Sequence, residues 1–258
     1  SVYGQIVFIW TDMNLKCWVQ KSTYLCFLAD PVFTTGKLSM KNLESVVIES
    51  SKIVNLPCVN LLQVNKVDHS EILNTIFNIW LLSRFVDNKR IDKVIDAINR
   101  LNVEAVHLNI GEVGPLKLAL LKKVFIFGLF TKIIFHWFLN KAQLTNMYDC
   151  FNLFVQAPKK QGPFVLIILH GMVLGIPVVN NYKSGAAVER INHRYNGILL
   201  EDTTPESIAN FFLNFDKQWI SNIRYFATSK IDIFRMAVRR VSNILKKPNY
   251  NFNWANSS

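Results

Sequence analysis

Two cationic residues five positions apart are the first feature of the sequence that could do chemistry. Arg84 ends an apolar run, "IFNIWLLSR" (76–84), and Lys89 precedes a segment whose apolar residues recur at helical spacing. A guanidinium can grip phosphate oxygens in a fork and an ammonium adds a compact charge, so the pair suits a phosphorylated ligand. The N-terminus of the following helix would add partial positive charge. Both residues could instead be solvated loop cations.

A second region, which is singled out by the family resemblance described below, is the stretch "KKQGPFVLIILHGMVLGIPVV" (159–179). Gly162 permits a close approach between the backbone and a ligand, although the turn could be an ordinary loop stiffened by Pro163. His170 can donate a hydrogen bond to a hydroxyl group or accept one from it. It could equally be a helix histidine that is bonded within the core.

The sequence around these residues predicts a parallel α/β sheet that would position them, because short apolar runs alternate with helical segments. The predicted strands are 76–84, 105–111, 124–128, 151–157, 176–181 and 195–201. The helix after Arg84 is predicted from Ile91, Val94, Ile95, Ile98 and Leu101, and the one at 204–215 from an N-cap at Thr204 and Pro205 in its first turn. Five or six strands interleaved with helices predict one doubly wound, Rossmann-like domain.

The region before this domain has a different pattern. It contains strand-like pieces at 4–10, 22–29, 45–51 and 58–64, with too few helices to complete a second domain of the same type. We therefore predict three parts. These are an incomplete α/β domain (1–68), a Rossmann-like domain (69–217), and a basic helix with a polar tail (218–258).

Composition restricts the class of protein. Half of the 258 residues are apolar, which indicates a globular chain, and 29 Lys and Arg against 18 Asp and Glu give a net charge of +11. Such a charge favours phosphorylated ligands, polyanions or an anionic membrane face. The four cysteines are scattered without a metal-ligand spacing, so no metal or cofactor is expected and reduced thiols in the cytoplasm are the simplest account. The longest apolar runs fall short of the roughly 18 to 20 residues that span a bilayer.

The ordered set of motifs resembles the C-terminal domain of family 4 retaining glycosyltransferases with the GT-B fold. The resemblance covers about residues 65–215 and follows "LLSRFVDNKRIDKVIDAINRL", "LNIGEVGPLKLAL", "MYDCFNLFVQAPKKQGPF", "HGMVLGIPVVNNYKSGAAVERI" and "YNGILLE". In that family two Rossmann-like domains face each other across a cleft, and the C-terminal one binds a nucleotide-sugar donor. The implied fold is a GT-B-type doubly wound parallel sheet with an incomplete second α/β domain at the N-terminus.

The resemblance also implies roles for individual residues. Arg84 and Lys89 would hold the donor diphosphate, and His170 would contact the ribose. The turn that would approach the donor phosphates consists of Gln161, Gly162, Pro163 and Phe164. The family has a pair of glutamates here, and counting back from "GIPVV" places His170 at the second and Gly162 at the first, or Gln161 if one residue is inserted. Neutral residues stabilise the positive charge that develops on the sugar poorly, so the substitutions leave weak or absent catalysis open as an alternative.

The implied function is transfer of a sugar from a nucleotide-diphosphate donor, expected to be UDP-linked, to a cell-surface glycan or a lipid-linked acceptor in polysaccharide biosynthesis. The alternative is a non-catalytic binding or scaffold subunit of the same fold, a pseudoenzyme. Since residues 1–68 match only the last part of an acceptor-side domain, a partner protein could supply the rest. The basic segment at 218–258 could contact an anionic membrane at the inner face or form a solvated helix face. Nucleic acid is the least favoured partner because charge alone supports it.

Overall fold

The computed structural model describes seven ranges of the chain. They are residues 7–9, 31–34, 37–45, 48–55, 76–101, 106–159 and 166–214. The ranges up to residue 55 belong to one compact unit and those from residue 76 belong to another. The predicted boundaries at 68 and 217, the strand-like pieces at 22–29 and 58–64, and the basic segment at 218–258 lie outside the described residues.

The smaller unit contains a short parallel sheet. Its elements are β1 (Val7–Ile9), β2 (Val32–Thr34), α1 (Lys37–Glu44) and β3 (Ile53–Asn55), with the strands in the order β1-β2-β3. The strand predicted at 45–51 is wrong in its described part, because a 3-10 turn occupies Ser50–Lys52 and β3 begins after it. Ile48 is apolar because it packs with Leu43 in the core of this unit, and not because it lies in a strand.

The larger unit alternates strands and helices. In order they are β4 (Phe77–Leu82), α2 (Ile91–Arg100), β5 (Val106–Gly111), α3 (Lys117–Ile126), β6 (Ile133–Trp137), α4 (Lys141–Met147), β7 (Leu153–Val155), α5 (Leu166–Leu174), β8 (Val178–Asn181), α6 (Gly185–Arg190), β9 (Gly197–Leu200) and α7 (Pro205–Leu213). The six strands are parallel and lie in the order β6-β5-β4-β7-β8-β9. This is the doubly wound order, in which the direction of winding reverses between β4 and β7. The predicted Rossmann-like sheet is confirmed.

Both faces of this sheet are buried, which explains why its central strands are apolar throughout. Alternate residues of β4 point to opposite faces, so Ile79 and Leu81 join a core with α2 and α7, whereas Trp80 joins a second core with α5 and α6. The five apolar residues predicted for the helix after Arg84 are all buried. The N-cap prediction is also confirmed, because Thr204 Oγ1 accepts a hydrogen bond from the Ser207 N–H at the start of α7.

The strand predicted at 124–128 is wrong. Residues 124 to 126 are the last turn of α3, and the strand of this region is β6, at Ile133–Trp137. Leu120 and Val124 lie one turn apart and are both buried against the sheet, so the helix continues through the apolar run. Gly128, at φ 64°, then turns the chain toward β6. An apolar run this short shows no periodicity that would distinguish a helix from a strand.

Candidate functional site at the carboxyl ends of the parallel strands

The connection from β4 to α2 lies beside the point where the winding of the sheet reverses. Ligands of open parallel sheets bind outside the carboxyl ends of the strands at such a point. Arg84 follows the end of β4 by two residues, and Lys89 closes a 3-10 turn, Asp87–Lys89, just before α2. The Arg84 side chain is exposed and has no ion pair or hydrogen bond with the part of the chain that the structure describes. The structure thus brings both predicted cations into one strand-to-helix connection.

The backbone around Arg84 is held by the next loop of the sheet. The Phe85 N–H donates to the Val113 carbonyl at 3.1 Å, and the Leu116 N–H donates to the Phe85 carbonyl at 3.1 Å. Gly114 lets the two loops approach, since a β-carbon there would lie 2.6 Å from the Phe85 oxygen. The Phe85 side chain is fully buried. Arg84 therefore has a backbone fixed by its neighbour Phe85 and an exposed side chain that can reach a ligand.

Three further contacts link the loops after β4 and β7 to each other and to the end of β8. The Lys159 ammonium pairs with the Asp87 carboxylate, and the Lys159 N–H donates to the Asn88 carbonyl at 2.9 Å. The Asn181 side-chain amide donates to the Pro158 carbonyl at 2.8 Å. These contacts place a third cation, Lys159, against the turn that contains Lys89. Lys159 and Asn181 were not among the predicted site residues, and the polar end of the buried run "VVNN" was an available signal for Asn181.

Two buried amides lie at the same end of the sheet. Gln156 follows β7 and Asn180 belongs to β8, and the register that pairs Val155 with Val179 places them side by side. The Gln156 amide nitrogen donates to the Leu82 carbonyl at 3.2 Å. However, Gln156 Oε1 and Asn180 Nδ2 are buried and have no hydrogen-bond partner among the described residues. Leaving a buried polar atom unpaired costs about 1–3 kcal/mol, so this end of the sheet has hydrogen-bonding capacity that the fold itself does not use.

His170 lies on α5 and contacts the core through Tyr148. The Tyr148 hydroxyl is 3.2 Å from His170 Nδ1. Burial lowers the pKa of His170 to about 4 and raises the pKa of Tyr148 to about 12. Both groups are therefore neutral at neutral pH. A neutral imidazole can exchange hydrogen bonds with a hydroxyl group, but it does not supply the negative charge of a glutamate.

The close packing of α5 on β8 fixes the position of His170. A β-carbon at the next residue, Gly171, would lie 2.4 Å from Val178 Cγ2 and 2.8 Å from the Ile176 carbonyl oxygen. Glycine at 171 therefore allows the helix to lie directly against the strand. The remaining predicted donor-site residues, Gln161, Gly162, Pro163 and Phe164, lie outside the described residues.

The described ranges contain no group of three or more His, Cys, Asp or Glu side chains arranged to hold a metal ion. No helix within the same ranges is both long enough and apolar enough to cross a membrane.

Comparison with solved structures gives the fold. The crystal structure of Anabaena HepE in complex with UDP and glucose has a TM-score of 0.75 and 18% identity, over 95% of this chain and 72% of that chain. A variant of S. aureus TarM, solved with Fondaparinux, alpha-GlcNAc-glycerol and UDP, has a TM-score of 0.73 and 16% identity, over 95% of this chain and 51% of that chain. These similarities confirm the predicted α/β fold of GT-B type.

Comparison of sequences gives the family. An uncharacterized glycosyltransferase of Methanocaldococcus jannaschii is 30% identical over 132 residues, which make up 51% of this chain and 33% of that protein. The chain thus spans about a third of the length of this curated relative. The family model described as "Glycosyl transferases group 1" matches residues 71–219, which is more than half of the chain. Since that match includes the whole six-stranded sheet and the connection that holds Arg84 and Lys89, the chain belongs to the glycosyl transferases group 1 family.

Proposed function

We propose that this chain provides the donor site of a glycosyltransferase, which transfers a sugar from a UDP-sugar to a glycan acceptor. The observation that carries the proposal is the position of Arg84 and Lys89 in the β4–α2 connection, at the carboxyl ends of the parallel strands. A diphosphate bound there gains charge-assisted hydrogen bonds from both side chains and the partial positive charge of the N-terminus of α2. The presence of UDP in the complexes of HepE and TarM, which have the same fold, supports this choice of ligand.

Lys159 provides a third cation in this proposal. Its ion pair with Asp87 is exposed, since the two side chains are 53% and 79% accessible. An exposed pair of this kind contributes only about 0–1 kcal/mol, so a diphosphate can compete with the carboxylate for the ammonium. We assign the ribose hydroxyls to His170, which can use Nε2 because Nδ1 contacts Tyr148.

A second candidate function is a non-catalytic subunit that binds a nucleotide sugar or supports a partner enzyme. It is supported by His170, which is neutral and bonded to the core and which the resemblance aligns with a glutamate of the retaining, family 4 pattern. The resemblance aligns Gln161 or Gly162 with the other glutamate. In this case the chain would bind the nucleotide sugar, while a partner enzyme would act on the acceptor, a cell-surface glycan or a lipid-linked sugar.

Calorimetric titration with UDP tests the donor site. We expect Arg84→Ala to weaken UDP binding roughly 10- to 100-fold, since a hydrogen bond to a charged group contributes about 1.5–3 kcal/mol. Arg100→Ala is the matched control, because Arg100 lies at the other end of α2 in an exposed pair with Glu206. It should bind UDP as the unmodified chain does. Failure of the unmodified chain to bind UDP would refute the donor site.

Release of UDP from UDP-glucose and other UDP-sugars separates the two functions. Turnover supports the transferase, whereas UDP binding without turnover supports the non-catalytic subunit. The variant His170→Glu tests the alignment on which both candidates depend. If residue 170 contacts the ribose, a carboxylate there should tighten UDP binding, and unchanged binding would show that another residue takes this role.

A further inference from the structure

The outer side of α3 exposes large apolar side chains. Leu118 is 77% exposed, Phe125 is 70%, Ile126 is 65%, and Phe130, in the turn that follows, is 59%. A helix that packs on a core normally presents polar residues to solvent on its outer side. We refer to these four residues together with Lys122, which is also exposed, as the α3 surface.

The α3 surface is continuous. Positions 118, 122, 125 and 126 lie on one side of a helix with 3.6 residues per turn, opposite the buried Leu120 and Val124. The patch extends into the following turn, because the rings of Phe125 and Phe130 meet edge to face with their centroids 5.7 Å apart. Single exposed apolar side chains are ordinary, whereas a contiguous patch marks an interaction site.

The charged residues of the sequence stretch that carries this patch are all basic. Between Glu112 and Asp149 the sequence contains no acidic residue. It contains five lysines there, at positions 117, 122, 123, 132 and 141. Lys123 is neutralised by an ion pair with Asp96 at 2.7 Å, but Lys122 projects from the middle of the α3 surface. A complementary partner is therefore both anionic and apolar.

We propose that the α3 surface binds an anionic lipid bilayer. The aromatic and aliphatic side chains would enter the boundary between headgroups and acyl chains, while Lys122 meets lipid phosphates. A symmetric contact with a second copy would bring Lys122 of each copy into the same basic interface. Nucleic acid would leave Leu118 and Ile126 without an apolar partner. The α3 surface shares no residue with the donor site, so the two proposals can fail separately.

Co-sedimentation of the full chain with lipid vesicles tests the proposal. We expect binding to vesicles of phosphatidylglycerol and phosphatidylcholine in equal parts, weaker binding as salt is added, and none to phosphatidylcholine alone. Lys122→Glu should weaken binding about 30-fold, since one basic residue contributes about fivefold and the reversed charge is repelled by a similar factor. Phe125→Ser should weaken it about tenfold or more, because a large apolar side chain is lost from the lipid boundary.

Two control variants, matched to Phe125→Ser and Lys122→Glu, test whether lipid binding depends on where the substitution lies on the protein surface. Leu213→Ser removes an apolar side chain that is 54% exposed on α7, and Lys41→Glu reverses an exposed charge on α1. Both should bind the anionic vesicles as the unmodified chain does. Thermal unfolding and UDP titration of each variant separate loss of lipid binding from loss of fold or of the donor site.

Three results would overturn the proposal. The first is an unmodified chain that does not sediment with the anionic vesicles. The second is a folded Lys122→Glu or Phe125→Ser variant that binds them undiminished. The third is a lipid-free dimer, seen by analytical ultracentrifugation, that Phe125→Ser dissociates, because this would assign the α3 surface to a second copy of the chain.

Discussion

The buried imidazole of His170 predicts a stability that depends on pH. Its ordinary pKa is 6.5, and burial lowers the pKa in the folded chain to about 4. As the pH falls below 6.5 the unfolded chain takes up a proton that the folded chain does not accept until about pH 4. The contribution of His170 to stability is therefore present above the unfolded pKa and is lost as the pH falls toward the folded pKa.

The size of the effect follows from these two values. Between pH 7 and pH 5 the difference in proton uptake lowers the free energy of unfolding by about 2 kcal/mol. His136 acts in the same direction, because burial lowers its pKa as well. The pKa of Asp202 is held below its ordinary 3.8 by hydrogen bonds from Thr204, so its effect falls at a lower pH than this interval.

Urea unfolding of the unmodified chain and of His170→Gln, each at pH 7 and pH 5, isolates the contribution of His170. Glutamine keeps a polar group beside Tyr148 but does not titrate. Between pH 7 and pH 5 we expect the free energy of unfolding of the variant to fall by about 2 kcal/mol less than that of the unmodified chain. The contribution of His136 is the same in both proteins and cancels in this comparison. The reasoning is refuted if the two proteins lose the same amount, or if NMR titration shows that the folded His170 imidazole gains its proton near pH 6.5.

Two smaller substitutions test the elements around the site. Gly114→Ala should lower the free energy of unfolding by about 1–3 kcal/mol and weaken UDP binding, because a β-carbon would meet the Phe85 backbone. Gly128→Ala is the control, because a β-carbon there has open space. It should lower the free energy of unfolding by about 1 kcal/mol, because of the positive φ alone, and leave UDP binding unchanged. Equal effects of the two on UDP binding in calorimetry would contradict the close packing of the loops. Thr204→Ala should lower the free energy of unfolding by about 1 kcal/mol, because it removes the cap of α7, whereas Thr204→Ser should lower it less. Chemical denaturation of the two variants measures this, and the opposite ranking would contradict the capping role.

Elements with a strong local signal could be predicted from the sequence. The helix α2 was predicted because Ile91, Val94 and Ile98 recur on one side, and the structure buries all three. The start of α7 was predicted because Thr204 and Pro205 supply the cap and the first-turn residue that a helix needs. Each signal acts within one or two turns of the chain, so no distant contact is required to read it.

Apolar runs without a period were harder to assign. The runs at 45–51 and 124–128 were predicted as strands, but the first contains a loop residue, Ile48, that fills a core, and the second ends α3. In both cases the apolar character reflects burial, which strands, helices and loops can all provide. Whether such a run forms a strand, a helix or a loop depends on the segments that pack against it, and these are tertiary contacts.

The candidate site likewise contains residues that the sequence indicates and residues that only the tertiary structure brings together. Arg84 and Lys89 could be selected from the sequence, because two cations between a buried strand and an amphipathic helix are a local pattern with a chemical meaning. The contacts of Lys159 with the Asp87–Lys89 turn could not, since Lys159 and Asp87 are 72 positions apart and meet only because β7 lies beside β4. The sequence by itself determined the class of fold and indicated Arg84 and Lys89 as candidate ligands of a phosphate. The order of the strands decided which loops meet, because parallel pairing joins segments that are distant in the chain.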